Sequence, residues 1–167
     1  GIANATLEEL SDIKGIGPAK ASQIKAAFEL AKRLEDPPES DKKSVVKTPE
    51  DVENLVRTKL KGKKKEYFLV LSLDTRGKLI KTSEVSVGSL DSSIVHPREV
   101  FKEALTASAA SVIFVHNHPS GDPEPSEDDI KLTKRLTDAG NILGIDVLDH
   151  VITGDDDFRS LKREGLF

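Results

Sequence analysis

Between Val115 and Ile130 the chain reads His-Asn-His-Pro-Ser-Gly-Asp-Pro-Glu-Pro-Ser-Glu-Asp-Asp, and this stretch restricts the fold more than any other. The apolar, β-branched and aromatic run before it, Ser111 to Val115, predicts a buried strand. Pro119, Pro123 and Pro125 cannot donate to a ladder and Gly121 lets the backbone turn, so the strand has to end at the histidines. Ser126, with Asp129 three residues on and the apolar series Ile130, Leu132, Leu136 behind it, predicts a helix N-cap with an acid in the first turn. A strand therefore stops, turns and hands over to a helix inside one short segment.

Side chains two apart on a strand share a face, so His116 and His118 can turn their imidazoles to one point while Asn117 faces away. If the loop folds back, Asp129 reaches the same point from the first helical turn. Two imidazoles and a carboxylate, with no sulfur, form a typical ligand set for a divalent transition metal, most often zinc. Three protein ligands leave a fourth position for water, the arrangement of a catalytic site. Taken singly, Ser126 with Asp129 is an ordinary cap, and a lone His-x-His at a strand end is usually structural. It is the conjunction that points to a metal.

His116-x-His118, then Ser126 and Asp129 at this spacing, resembles the JAMM (JAB, MPN+) metalloprotease pattern. The longer wording around it, with Leu-Thr-Lys-Arg-Leu at 132–136, resembles the RadC-like proteins of its bacterial branch, over essentially the whole chain. The resemblance implies an α/β domain, a mixed sheet flanked by helices of the cytidine-deaminase-like type, preceded by a small all-α helix-hairpin-helix. It implies Zn2+ held by His116, His118 and Asp129, and hydrolysis of an amide or isopeptide bond in a protein or peptide substrate. The RadC name also implies a link to DNA repair.

Such hydrolysis needs a base, and the family draws it from a glutamate on an upstream strand. Glu66, opening Glu-Tyr-Phe-Leu-Val-Leu-Ser-Leu-Asp, occupies the matching place; otherwise it is a strand-end carboxylate offsetting Lys63 to Lys65. Glu84 on the neighbouring strand competes, and Glu66 is preferred for the apolar strand that follows it. Ser126 acquires a second role, helping to hold the water or an oxyanion. His96 and His150 read as structural. Asp122, Asp128 and Asp149 lie away from the ligand position, although Asp149 could orient a ligand histidine. Two rival readings are a metal-dependent nuclease and a non-enzymatic DNA-binding adaptor. The complete ligand set counts against the adaptor, while nothing in the site residues selects DNA over peptide.

At 167 residues, 37% of them hydrophobic, the chain suits one ordinary domain with a small appendage. A net charge of -4 argues against coating nucleic acid by bulk charge, leaving local patches open. The absence of cysteine removes disulfides and thiolate ligands, and the lack of a membrane-length apolar run or a signal peptide makes a cytoplasmic protein the expectation. With Gly at position 1 and no Met, the chain reads as part of a longer protein, and RadC-like proteins carry a further helical segment before this point.

Residues 1–36 predict a helical hairpin. A short helix spans Thr6 to Asp12, Ile-Lys-Gly-Ile-Gly-Pro at 13–18 forms a tight turn, and a second helix from Pro18 to Leu34 carries Ala21, Ile24, Ala27, Phe28 and Ala31 on one side. The unit is similar to a helix-hairpin-helix. Gly15 and Gly17 would bring backbone N–H groups to a phosphate, Lys14, Lys20 or Lys25 adding charge, for a weak sequence-independent contact with DNA. The alternative is a hairpin that merely packs on its neighbour. Residues 37–47, with Pro37-Pro38, read as a linker, and 48–167 as the metal-binding domain.

Within that domain a helix is expected from Thr48 to about Leu60, with Val52, Leu55, Val56 and Leu60 apolar. Lys61, Lys63, Lys64 and Lys65 form a basic cluster better read as a solvated turn than as a phosphate patch. Then come a hairpin of strands Glu66 to Leu73 and Lys78 to Val87, a loop from Gly88 to Val95, and a helix from Pro97 to Ala107. The Ser126 helix should stop near Gly140, followed by a strand from Ile145 to Ile152 and a short last helix from Phe158 to Arg163.

Overall fold

A computed structural model describes residues 5–35, 44–88 and 95–167. The chain divides into two compact units, Gly1–Lys43 and Ser44–Phe167.

In the first unit, α1 (Leu7–Ser11) begins at a capping box, Thr6 Oγ1 accepting from Glu9 N at 3.1 Å while Thr6 N donates to the Glu9 carboxylate at 2.7 Å. Gly15, at φ +91°, makes the turn into α2 (Pro18–Glu35). Leu10 and Ala21 are buried where the helices meet, Ile24 is half-buried, and Ala27, Phe28 and Ala31 are exposed. Lys20 Nζ donates to Gly15 O at 3.1 Å and Lys25 Nζ to Ala5 O at 2.8 Å.

The second unit is mixed α/β. Its helices are α3 (Pro49–Leu60), α4 (Pro97–Thr106) and α5 (Glu127–Leu143), and its strands β1 (Glu66–Leu73), β2 (Leu79–Gly88), β3 (Ser111–Asn117), β4 (Asp146–Thr153) and β5 (Phe158–Ser160). Among the described residues the strands form one sheet in the order β2-β1-β3-β4-β5. The β3–β4 pair, joined through α5, is parallel, and the others are antiparallel. Both faces of the sheet are covered, which is why β1 and β3 are apolar nearly without interruption. Phe68, Val70 and Phe114 pack on Val100, Phe101 and Ala104 of α4 and Leu132 and Leu136 of α5. Leu69, Leu71, Ile113, Val115 and Val151 face the other way, onto Val52, Val56 and Leu60 of α3.

Three expectations change. The 37–47 linker mostly falls outside the described residues, but its end belongs to the second unit: Val45 bridges to Lys78, Val46 N donates to Gly77 O at 2.8 Å, and Val46 is buried. Val46, an apolar residue in a polar run, gains more by packing under this edge than by lying in solvent, while Val45 stays exposed. Next, α5 runs past Gly140 to Leu143 and ends at Gly144, whose φ of +69° gives the left-handed cap. Gly140 is instead a packing residue, since a Cβ there would lie 2.6 Å from Ile145 O and 3.2 Å from Phe101 Cζ. Finally, residues 158–163 do not form a helix. Phe158 to Ser160 pair antiparallel with β4, because ladder partners on that edge satisfy backbone groups that one short helical turn would leave open. The expected loop at 88–95 lies largely outside the described residues.

Candidate metal centre

The parallel β3 carries His116 to its end, and His118 follows one residue beyond, where its N–H still donates to Thr153 O at 3.0 Å. The chain then turns through Gly121, at φ +84°, whose N–H donates to His118 O at 3.0 Å. The returning loop lies against the turn after β4: a Cβ on Gly154 would sit 2.3 Å from Gly121 O, and one on Gly121 would sit 2.5 Å from an Asp155 carboxylate oxygen. Only two glycines permit this approach. It brings Ser126 to the head of α5 as N-cap, in a capping box with Asp129.

His116, His118 and Asp129 converge, each offering a ligand atom within 4.8 Å of the others. The two Nε2 atoms face each other at 3.0 Å, with Asp129 Oδ1 3.2 Å from His116 Nε2 and Oδ2 3.5 Å from His118 Nε2. His116 and Asp129 are buried and His118 is half-buried. His118 Nδ1 lies 2.8 Å from the backbone oxygen of Asp122, which can only accept, so Nδ1 carries a proton and Nε2 is the nitrogen turned inward. Burial by itself would push the Asp129 carboxyl up, yet the His116 and His118 rings hold it far below the usual carboxylate range. The same carboxylate raises the pKa of His118 against the effect of burial. A buried carboxylate facing inward-turned ring nitrogens calls for a cation between them. A proton on His118 Nε2 satisfies part of that demand, and a divalent transition metal fits the nitrogen and oxygen donors.

The other predicted residues fall differently. Phe68 pairs with His116 across β1 and β3, their rings stacked at 6.3 Å, and Glu66, two residues from Phe68, opens β1 on the same face. Glu66 stands outside the converging trio but close enough for its charge to help raise His118. Glu84 pairs with Leu69 and so faces the opposite side of the sheet, which removes it from the site. Ser126 Oγ donates to Asp129 Oδ2 at 2.6 Å, so its one proton already serves the carboxylate. Asp122 caps its own loop, Oδ1 accepting from Glu124 N, and Asp128 lies near Lys131 at 3.6 Å. His96 is the N-cap of α4, its Nδ1 accepting from Arg98 N at 3.1 Å.

Sequence reasoning missed two partners of the site and gave one of their roles to a neighbour. Asp149 does not orient a histidine ring; its carboxylate accepts from Ser160 Oγ at 2.6 Å, His150 N at 2.7 Å and Lys162 N at 3.1 Å. The adjacent His150, fully buried, touches His116 instead, Nε2 to Nδ1 at 2.8 Å. Asn117 is turned from the histidines as expected but is not idle. Its Oδ1 accepts from Tyr67 N at 2.9 Å and its Nδ2 donates to Lys65 O at 3.0 Å, gripping the backbone on either side of Glu66. The one signal in the sequence was order, a helix joining the strand of His116 to the strand of His150; their adjacency and register are set by the sheet.

A mixed sheet between helices, with a His-x-His strand end and an acid on the next helix, defines a domain of the JAB class. Residues 46–166 match the RadC-like JAB domain and residues 1–27 the helix-hairpin-helix motif. The chain belongs to the RadC-like JAB domain family. It is similar to the UPF0758 protein of Desulforamulus reducens, 54% identical over 165 residues that cover 99% of this chain and 72% of that protein. It is also similar to the UPF0758 protein of Methanosarcina mazei, 54% identical over 162 residues that cover 97% and 70%. These names specify no reaction.

Proposed function

We propose that the second unit is a zinc-dependent hydrolase of amide or isopeptide bonds in a protein or peptide, with His116, His118 and Asp129 as the metal ligands. The observation that carries this reading is the convergence of two inward-turned imidazoles and a buried carboxylate at one point. When bound, zinc supplies a Lewis acid that polarises the scissile carbonyl and brings the pKa of its water to about 7. Glu66 takes a proton from the attacking water and returns it to the leaving amine, worth roughly 10²–10⁴-fold in rate. Ser126 holds the Asp129 carboxylate by two contacts, from its N–H at 2.8 Å and its hydroxyl at 2.6 Å, so it assists the water or oxyanion only by turning that one hydroxyl proton away from Asp129.

The helix-hairpin-helix match supports a second, separate activity for the first unit: weak, sequence-independent contact with a DNA backbone through Gly15, Gly17 and Lys20. A DNA-repair association would follow from it, and so would the nuclease alternative, in which DNA is the substrate of the metal centre.

The test is elemental analysis of the chain after zinc loading, beside His118→Ala, Asp129→Ala and Glu66→Gln. About one zinc per chain is expected in the wild type and in Glu66→Gln, and none in the two ligand variants. Glu66→Gln should then lose turnover of isopeptide-linked substrates while holding its metal. A wild type that takes up no zinc would overturn the reading, and metal-dependent cleavage of DNA alone would transfer it to the nuclease.

A further inference from the structure

We propose that Thr133 and His150 act as a buried relay that fixes the tautomer of His116, so that its Nε2 lone pair, not an N–H, points at His118 and Asp129. Thr133 and His150 are positioning residues in this account. Its value for metal binding rests on the zinc reading above, whereas the tautomer itself does not.

Thr133 Oγ1 lies 2.6 Å from Asp129 O and 2.6 Å from His150 Nδ1. A backbone carbonyl cannot donate, so the one hydroxyl proton goes to Asp129 O, and the hydroxyl can only accept from His150. His150 Nδ1 therefore carries a proton. The ring is fully buried, with Phe68 and Phe114 edge-on to it at 5.5 and 5.9 Å, and this apolar surrounding keeps it neutral. A neutral imidazole has one N–H, so His150 Nε2 is bare. It faces His116 Nδ1 at 2.8 Å, where two bare nitrogens would repel, so His116 Nδ1 must donate. His116 is left with a bare Nε2 directed at Asp129 Oδ1 and His118 Nε2, and by the same rule the proton between the two facing Nε2 atoms, 3.0 Å apart, is carried by His118 until a metal takes its place.

The two ring ligands are thus set by different devices. His118 takes its tautomer locally, from the Asp122 carbonyl in its own loop. His116 takes its tautomer at a distance, from α5 and β4, and the hydroxyl that starts the relay sits one helical turn beyond Asp129 itself. Helix, strand and loop therefore fix the Nδ1 proton of both rings before any metal arrives, and an arriving metal has only the His118 Nε2 proton to displace.

The experiment uses the full chain, metal-free at neutral pH, with ¹⁵N-labelled histidine to read each ring's tautomer, followed by zinc affinity from competition with a chromophoric chelator. Wild type and Thr133→Ser should show His116 and His150 as Nδ1–H. Thr133→Val keeps the side-chain shape and removes the acceptor. His116 should then lose its fixed tautomer while His118 keeps Nδ1–H, and zinc affinity should fall about 10–100-fold, the effect expected for outer partners of a metal-binding histidine. The relay is wrong if metal-free wild type shows His116 as Nε2–H, a result that needs no variant to fold. It is also wrong if Thr133→Val binds zinc as tightly as wild type. A wild type with His116 as Nδ1–H that binds no zinc would uphold the relay and overturn the zinc reading.

Discussion

At the scale of single residues the centre depends on side chains whose hydrogen-bonding options are few. Asn117 shows this outside the ligand set. By gripping Lys65 O and Tyr67 N it holds the backbone that carries Glu66. Asn117→Ala is expected to cost about 1–3 kcal/mol in denaturant unfolding, from two partly buried backbone groups left unpaired. Turnover should fall roughly 10²-fold through displacement of Glu66, with zinc content unchanged. Unchanged turnover would mean that Glu66 is held by other means. The convergence of His116, His118 and Asp129 was legible in the sequence, because a strand end, a proline-rich turn and a helix cap determine one another within a short segment. His150 was not, since a histidine inside an apolar strand looks the same whether its neighbour is a leucine or a ligand, and only the pairing of Phe114 with His150 places it beside His116.

At the scale of elements, the caps and prolines set helix starts well: α3 and α4 each begin with Pro at the first position, and α3 and α5 each begin on a capping box. The ends were harder, because a glycine in a helical pattern has two meanings. Gly140 lies under Phe101 and against the chain entering β4, so Gly140→Ala should destabilise the unit by about 1–3 kcal/mol through overpacking, despite the better helix propensity of alanine. A higher midpoint in urea would show that α5 can shift outward without loss. The strand β5 was misread for a different reason. Its three residues carry no period of their own, and what makes them a strand is the exposed edge of β4, invisible until the sheet is assembled.

At the scale of the whole molecule, stability and acidity are linked through the buried histidine. Burial depresses the pKa of His150 well below its ordinary value, whereas the unfolded chain titrates it near 6.5. Below about pH 6.5 the unfolded state therefore takes up a proton that the folded state refuses. The stability His150 contributes is complete above that pH and is lost as pH falls toward the folded value, by up to about 1.4 kcal/mol per pH unit. His118, raised by Asp129, works in the opposite sense: its contribution is complete below about pH 6.5 and is lost as pH rises through its folded pKa. The clean measurement is the difference in urea stability between metal-free wild type and His150→Gln across pH 5 to 7. A steeper acid loss is expected in the wild type, and parallel curves would count against the assignment. Among the described residues no helix is long and apolar enough to cross a membrane.

The three converging side chains come from one continuous segment, His116 to Asp129, while the groups that orient His116 enter from later in the chain. On the zinc reading, an unfolded chain already holds every donor atom on a short tether and would capture the metal loosely before any sheet exists. Metal bound in that way stabilises both ends of the folding reaction, so the gain in native stability on adding zinc is smaller than its affinity for the native protein would suggest. What folding adds is the discipline of the relay, and the difference between loose and tight capture measures how much of the centre is made by the sheet.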